Sequence, residues 1–489
     1  MNFRHASAFA VAGLALFASA GSLRADEINL WPFSVDRQDA ATGGTIHSGL
    51  GPFEFSSTSP DGLATSGFRP LWDEVRDTNT GQQLSGSFIY PLAHWEVEPS
   101  TQNRKWTIFN LINFSQNAAD NITGFDIWPL YFSRQTGEKA TSYQAMMPIY
   151  GDVIQRFNQD RLQWLLFPLS GRFEKAGVTT TTTPWPLVKT VSGEGHRGFE
   201  IWPLAGHREQ TGVSRDSFAL WPFLYRQESK LDTDSPSLKT GFLPFYALDQ
   251  ALGYRSETYL WPFFGYVDRT APYPYHARHY LWPLWVQGRG DDRHINRWAP
   301  FYSHSRIKDH DKTWLLWPLW RQATWNDPKL RHERRQLLYF IFNETTQHDL
   351  ANPDLTPARK THLWPLFSSW DNGAGKKQFQ AFSPLEVFLP HQDRTRRLWS
   401  PLFALYRFDQ SAPGETRQSL LWDAITYSRS EEFNTRQFNL GPLVGYQSQT
   451  AGQRIGFFAG IFGFQRASSQ RVWRPYFGRA KSFPSASTP

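Results

Sequence analysis

Apolar and polar positions alternate along this chain in blocks. Leu, Trp, Pro, Phe and Tyr gather in short clusters such as Tyr280-Leu281-Trp282-Pro283-Leu284-Trp285. Between the clusters lie polar stretches such as Arg289-Gly290-Asp291-Asp292, Asp232-Thr233-Asp234-Ser235-Pro236 and Asp371-Asn372-Gly373. Within a cluster the residues are aromatic or β-branched and show no 3.6-residue period, which predicts strand. A proline in almost every cluster excludes a run of ordinary helices. Trp-Pro occurs nine times, at Trp31, Trp128, Trp185, Trp202, Trp221, Trp261, Trp282, Trp317 and Trp364. Composition alone would give roughly one or two. The clusters are therefore an internal repeat.

The repeat divides the chain. Residues 26–120 carry irregular copies, including Leu30-Trp31-Pro32-Phe33, Gly51-Pro52-Phe53, Arg69-Pro70-Leu71 and Tyr90-Pro91-Leu92. Over 121–320 the spacing is regular, with the repeat prolines from Pro129 to Pro318 separated by 17 to 22 residues. Residues 321–362 read as a degenerate unit (Leu337 to Phe342) and an inserted loop around Asn352-Pro353-Asp354. Residues 363–470 resume the repeat at Trp364-Pro365, Ser383-Pro384, Ser400-Pro401, Leu421-Trp422-Asp423 and Gly441-Pro442, and 471–489 form a tail. The predicted fold is all-β, an antiparallel meander of about twenty repeats of ~19 residues.

Two architectures fit such a unit. In the first, each unit is one long strand plus a turn, and the sheet closes into a large β-barrel whose strands cross an apolar layer in ~9–11 residues. In the second, Trp-Pro is a corner, each unit is two short strands, and the units form a solenoid or propeller-like repeat. Around Pro222 both alternating sets of side chains are apolar, Trp221, Phe223 and Tyr225 on one and Leu220 and Leu224 on the other. A water-filled barrel instead predicts apolar-out, polar-in alternation. Proline also removes a ladder donor. The barrel is the leading expectation, and Pro283 is its test: a corner there excludes it.

Residues 1–25 read as a secretory signal peptide, with Arg4 and His5 before an apolar run over 8–20 and cleavage after Ala20 or Ala25. No later run of eighteen apolar residues follows. There is no cysteine, hence no disulfide, thiolate metal site or catalytic thiol. Aromatic residues make up 16% and charged residues 19%, with a net charge of +7. The charges are interspersed, so no nucleic-acid-binding face is expected. The densest basic runs, 331–335 and 394–397, are expected on solvated loops. The leader and the cysteine-free, aromatic, turn-punctuated strands resemble outer-membrane β-barrel proteins as a class. That resemblance implies an outer-membrane location. The sequence departs from that class at its end, where Phe483 is followed by six further residues.

Candidate chemistry is sparse. Gly193-Glu194-Gly195-His196-Arg197-Gly198 spells a dinucleotide fingerprint but runs into another strand cluster, so it reads as a turn. Gly373-Ala374-Gly375-Lys376 lacks a P-loop glycine and the following Ser or Thr; His332-Glu333-Arg334-Arg335-Gln336 lacks the second histidine of a zinc helix. Lys308-Asp309-His310-Asp311 and Asp232-Thr233-Asp234 are at most weak cation sites. Arg289-Gly290-Asp291 reads as a turn tripeptide. No catalytic, cofactor or metal residue is assigned, and no cofactor is expected. The repeat Trp is expected to fill the core of its unit or face lipid, in preference to holding sugar rings. Arg226, Arg321 and Arg407, each following a cluster, are expected to cover strand ends or meet lipopolysaccharide phosphates. The expected function is a non-enzymatic, exported cell-envelope protein, an outer-membrane barrel with a structural or transport role for an apolar or amphiphilic cargo. The alternative is a soluble periplasmic or secreted module that binds glycans.

Overall fold

The computed structural model describes residues 27–38, 43–388 and 393–478. The proposed signal peptide lies outside them, as does most of the tail. The chain forms one sheet of 45 antiparallel strands, β1 to β45 in chain order, each paired with its sequence neighbours. The all-β antiparallel meander of repeats is thus present. Closure is not: among the described residues β1 (Ile28–Leu30) pairs with β2 (Ser34–Gln38) alone, and β45 (Arg474–Phe477) with β44 (Phe462–Ala467) alone.

The unit is two strands, not one. β27 (Tyr275–Tyr280) and β28 (Trp285–Gly290) have six residues each and are joined by residues 281–284. Pro283 therefore sits at a corner, which corrects the expectation of twenty long barrel strands. Six residues extend ~20 Å, short of the 9–11 residues a barrel strand needs to cross a bilayer. The physical reason lies in the clusters. Proline, unable to donate to a ladder, stands in the turn, where no ladder bond is required of it. In Leu281-Trp282-Pro283-Leu284 the Leu284 amide donates to the Leu281 carbonyl at 2.8 Å. The Trp282–Pro283 peptide is cis, so proline occupies the third position of a type VI turn. The polar linkers close the opposite ends; at Phe157 and Asn158 both φ values are positive (54° and 59°), as a two-residue type I′ hairpin requires.

Consecutive hairpins turn at opposite edges of a meander, so every Trp-Pro turn falls on the same edge. Degenerate copies keep the slot: Gly441-Pro442-Leu443 follows β41 (Thr435–Leu440), and Leu338 to Ile341 joins β33 (Leu330–Leu337) to β34 (Phe342–Asp349). Two copies do not. Ser383-Pro384 and Ser400-Pro401 fall in a long connection between β37 (Lys377–Ala381) and β38 (Tyr406–Ala412) that holds two short helices, α1 (Asp393–Leu398) and α2 (Ser400–Phe403). Pro401 stands in the first turn of α2, where the missing N–H is tolerated. The basic run 394–397 is consequently helical, and the run 331–335 lies in β33; neither is the expected loop.

The ribbon is one sheet thick. Its accessible surface is 30620 Å²; a compact chain of this mass would expose about 18,500 Å². What packing exists is largely cross-strand. On one face a glycine repeatedly stands opposite an aromatic ring, at Phe55↔Gly67, Gly151↔Trp164, Gly206↔Phe218, Tyr225↔Gly241 and Gly463↔Tyr476, and Gly86↔Trp95 repeats the pairing on the other face. A Cβ added at Gly86, Gly151, Gly206 or Gly241 would collide with the facing ring, so the ring lies flat over its neighbour's backbone. Trp164 is 4% exposed in this way, beside Phe132, Tyr143, Ala145 and Val153.

The ribbon returns upon itself. The start of the chain meets one face of β39 (Glu415–Leu420), β40 (Ile425–Ser430) and β41. Gln437 donates to the Glu27 carbonyl at 2.6 Å and accepts from the Glu27 amide at 3.2 Å. Arg417 pairs with Glu27 and Asp423, each at 2.9 Å, and Asn29 donates to the Asp423 carbonyl at 2.8 Å. Beside this seam, Arg397 on α1 pairs with the fully buried Asp73, which also accepts from Ser87. Trp399 donates to the Tyr90 carbonyl at 3.1 Å.

Candidate membrane-facing rim

The Trp-Pro edge is a rim built by two sets of hydrogen bonds. Within a turn, the residue after proline donates back across the corner: Leu130 to Ile127, Leu204 to Ile201 and Leu319 to Leu316, each at 2.7 Å. Between turns, each corner bonds to its predecessor: Trp128 to Leu111 at 2.8 Å, Met147 to Leu130 at 2.7 Å, Trp202 to Leu187 at 2.6 Å. Backbone groups at this edge thus have protein partners, and the side chains project outward.

Those side chains are apolar and exposed. Seven of the nine repeat Trp fill no core, Trp128, Trp185, Trp202, Trp221, Trp261, Trp282 and Trp317 all being more than 40% exposed, whereas Trp31 is half-buried. Trp364 instead turns its Nε1 to the Pro384 carbonyl at 3.0 Å, under the helical connection. Phe301 reaches 66% exposure, and Leu130, Leu204 and Leu366 exceed half. The first strand residue beyond a turn is commonly apolar as well, as with Leu224, Phe264 and Trp285, which explains why both faces around Pro222 read as apolar. Charge begins at the second or third: Lys189 and Arg321 are second in their strands, and at the third Arg226 pairs with Glu228 at 2.6 Å and Arg172 with Glu174 at 2.7 Å. The apolar band is therefore about 10 Å deep, from the turn plus one or two residues at ~3.3 Å each.

Backbone conformation adds a second signal. Leu220, Leu260, Leu281 and Leu316 open their turns with φ of 49°, 45°, 55° and 48°. An L-residue in this left-handed region costs ~1–2 kcal/mol, a cost glycine avoids. These leucines recover little of it through burial, being 49% to 56% exposed. Sequence reasoning overlooked them; the invariant Leu before Trp-Pro in these copies was the available sign.

The other candidates resolve as structure. Gly193 to His196 forms a hairpin turn with Gly195 at φ 71°, and Gly373 to Lys376 forms another. His332 stacks on Trp325 at 4.8 Å and faces the Asp327 carboxylate at 2.7 Å. Asp311 meets His304 at 2.9 Å, and Asp232 to Asp234 lies in a turn. Among the described residues no group of three or more His, Cys, Asp or Glu is placed to hold a metal. Arg289 and Gly290 end β28, with Asp291 in the following turn. Arg321 donates to Gln336 at 3.2 Å and Arg407 to Asp409 at 2.7 Å. No helix among the described residues is long and apolar enough to cross a membrane. No family model matches the chain, and no curated protein matches it.

Proposed function

We propose that this is a non-enzymatic, exported cell-envelope protein that seats its Trp-Pro rim in the surface of a membrane, with a structural or transport role for an apolar or amphiphilic cargo. The observation that carries it is the row of half-exposed leucines and tryptophans held out by turns whose conformation costs folding energy. Burial of the same side chains against an apolar partner offsets that cost. Lipid fits the geometry: aromatic rings concentrate at bilayer interfaces, and a band ~10 Å deep matches interfacial burial of ~5–10 Å rather than a ~30 Å span. Burying one Trp and one Leu is worth on the order of 3–5 kcal/mol per turn. A few engaged turns therefore exceed the ~4–15 kcal/mol that association costs.

The outer membrane is the proposed site, on the sequence's leader and on the class it resembles. Fractionation of the producing cell tests this reading. The protein is expected to sediment with outer membrane and to resist a high-salt wash, because the turns of the regular stretch, from 127–130 to 316–319, carry no charged residue. Recovery only in the soluble periplasmic or secreted fraction overturns it and favours the glycan-binding module.

A further inference from the structure

Charges that are interspersed along the sequence separate by face in the sheet. Cross-strand partners share a face, so the pairs His279↔Val286, Val286↔Arg297, Arg297↔Ser303, Ser303↔Trp314, Trp314↔Arg321 and Arg321↔Gln336 trace one face from β27 to β33. The strands between include β29 (Arg293–Trp298), β30 (Tyr302–Ile307), β31 (His310–Leu315) and β32 (Trp320–Asn326). By alternation this face carries Arg293 and Arg297 on β29, Lys312 on β31, Arg321 on β32 and Arg334 on β33, and these strands place no Asp or Glu on it. Their two carboxylates, Asp311 and Glu333, lie on the other face, Asp311 against His304 at 2.9 Å and Glu333 against Arg331 at 3.1 Å. The turn residues Asp291, Asp292, Asp309 and Asp327 stand at the edge opposite the rim, and Asp327 faces His332.

The cations on this face act on one another. Arg297, Lys312 and Arg334 make no ion pair or side-chain hydrogen bond among the described residues, and Arg321 donates only to Gln336, at 3.2 Å. Arg321 lies over the Trp314 ring at 5.3 Å and Arg334 over the Trp325 ring at 5.1 Å, each with a buried Nε that has no acceptor. Burial, then Arg321 and Arg297, lower the pKa of Lys312; burial, then Arg321, lower that of Arg334. An anion on this face would relieve that repulsion and accept from the unpartnered donors.

Position indicates what carries the anion. Arg297 and Arg321 stand second from turns of the rim and Lys312 and Arg334 fourth, within ~13 Å of the turn at ~3.3 Å per residue. With the rim seated in a membrane surface, that is the level of lipid phosphates. The same face holds a pocket of about 340 Å³ whose lining joins Trp282 of the rim to Arg297 over Ala277, Val286 and Ile295, with no carboxylate. A nucleic acid would engage the cations and leave the rim uncovered, whereas a lipid satisfies both. We propose that this face selects anionic lipid, its phosphate on Arg297, Lys312, Arg321 and Arg334 and its chains against the rim; the inference rests on the membrane-seated rim. The phosphate can belong to a glycerophospholipid or to lipid A; the chemistry is shared.

Flotation of the purified mature protein with phosphatidylcholine vesicles, alone or containing phosphatidylglycerol or lipid A, tests this. At low salt at least one anionic vesicle is expected to bind at least tenfold more tightly than the neutral one, and high salt to remove that difference while neutral binding persists. The preferred anionic vesicle identifies the source. A variant carrying Arg297→Gln, Lys312→Gln, Arg321→Gln and Arg334→Gln is expected to float with neutral vesicles as before and to lose the anionic preference. Arg278→Gln, Arg289→Gln, Arg306→Gln and Arg335→Gln together remove the same charge from the other face and are expected to keep it. If the first variant loses its β-sheet circular dichroism, Arg297→Gln with Lys312→Gln takes its place, with the same expected direction. Equal binding of the wild type to neutral and anionic vesicles, a preference retained by the folded face variant, or equal loss in both variants overturns the inference and leaves the rim standing. No flotation with any vesicle overturns both. A single-stranded oligonucleotide that binds more tightly per phosphate than the anionic vesicles, and is lost in the same variant, assigns the face to nucleic acid and overturns it.

Discussion

The side-chain amide of Gln437 grips both backbone groups of Glu27, donating to its carbonyl at 2.6 Å and accepting from its amide at 3.2 Å. It thus supplies the start of the sheet with the bonds a neighbouring strand would have made. A free sheet edge is a template for unwanted pairing, and here a side chain covers it. Gln437→Ala is expected to leave these groups without that partner and to cost about 1–3 kcal/mol. Hydrogen exchange should speed locally over residues 27–30 while β20 (Ala205–Gln210) and β21 (Ser214–Ala219) stay unchanged. Uniform acceleration would contradict a local seam.

The glycine–aromatic pairs predict a graded response. Gly151→Ala pushes a methyl into the Trp164 ring inside the small core around Phe132 and Val153. Overpacking of this kind costs about 1–3 kcal/mol, seen as a lower unfolding midpoint in urea. Gly177→Ala, where nothing lies near the added Cβ but φ is 77°, tests backbone strain without a collision. It is expected to cost ~1 kcal/mol.

His362 gives a pH dependence. It is buried, with its Nδ1 at 2.6 Å from the Ser368 hydroxyl. Burial, then Lys360 and Arg396, lower its pKa to about 4. The unfolded chain binds this proton below its ordinary value of 6.5, and the folded chain does not until about 4. Stability from this group is therefore complete above pH 6.5 and falls as pH drops toward 4, by up to roughly 3 kcal/mol. His362→Gln should flatten that limb of a stability–pH profile; an unchanged profile would contradict the assignment.

Strand character, the repeat and the turn residues were legible in the sequence, because Leu-Trp-Pro-Leu states its own chemistry. Whether Pro283 interrupts a strand or turns a corner was not, since both faces of a turn look apolar in a linear pattern. Ser383-Pro384 and Ser400-Pro401 kept the spacing but not the fold: here Leu398 is fully buried and Arg397 meets Asp73, more than three hundred residues away. The seam depends on pairs such as Glu27 and Gln437, 410 residues apart, which no local rule reaches. The rim was visible as apolar clusters, and its exposure became visible only with the hairpin.

Leu281 separates folding from docking. Leu281→Gly relieves a left-handed leucine at φ 55° and removes a half-exposed side chain. It is expected to hold or raise stability by up to ~1 kcal/mol while weakening membrane binding. A variant that loses both would assign the leucine to packing instead.

The rim itself is tested most directly by flotation of the purified mature protein with phospholipid vesicles, in parallel with a variant carrying Trp→Asp at Trp202, Trp221, Trp261 and Trp282. The wild-type protein should rise with the vesicles at high salt as well as low, and the variant, with its β-sheet circular dichroism intact, should stay at the bottom. A wild-type protein that remains with the variant at the bottom, or a variant that floats equally well, would contradict the membrane-facing rim.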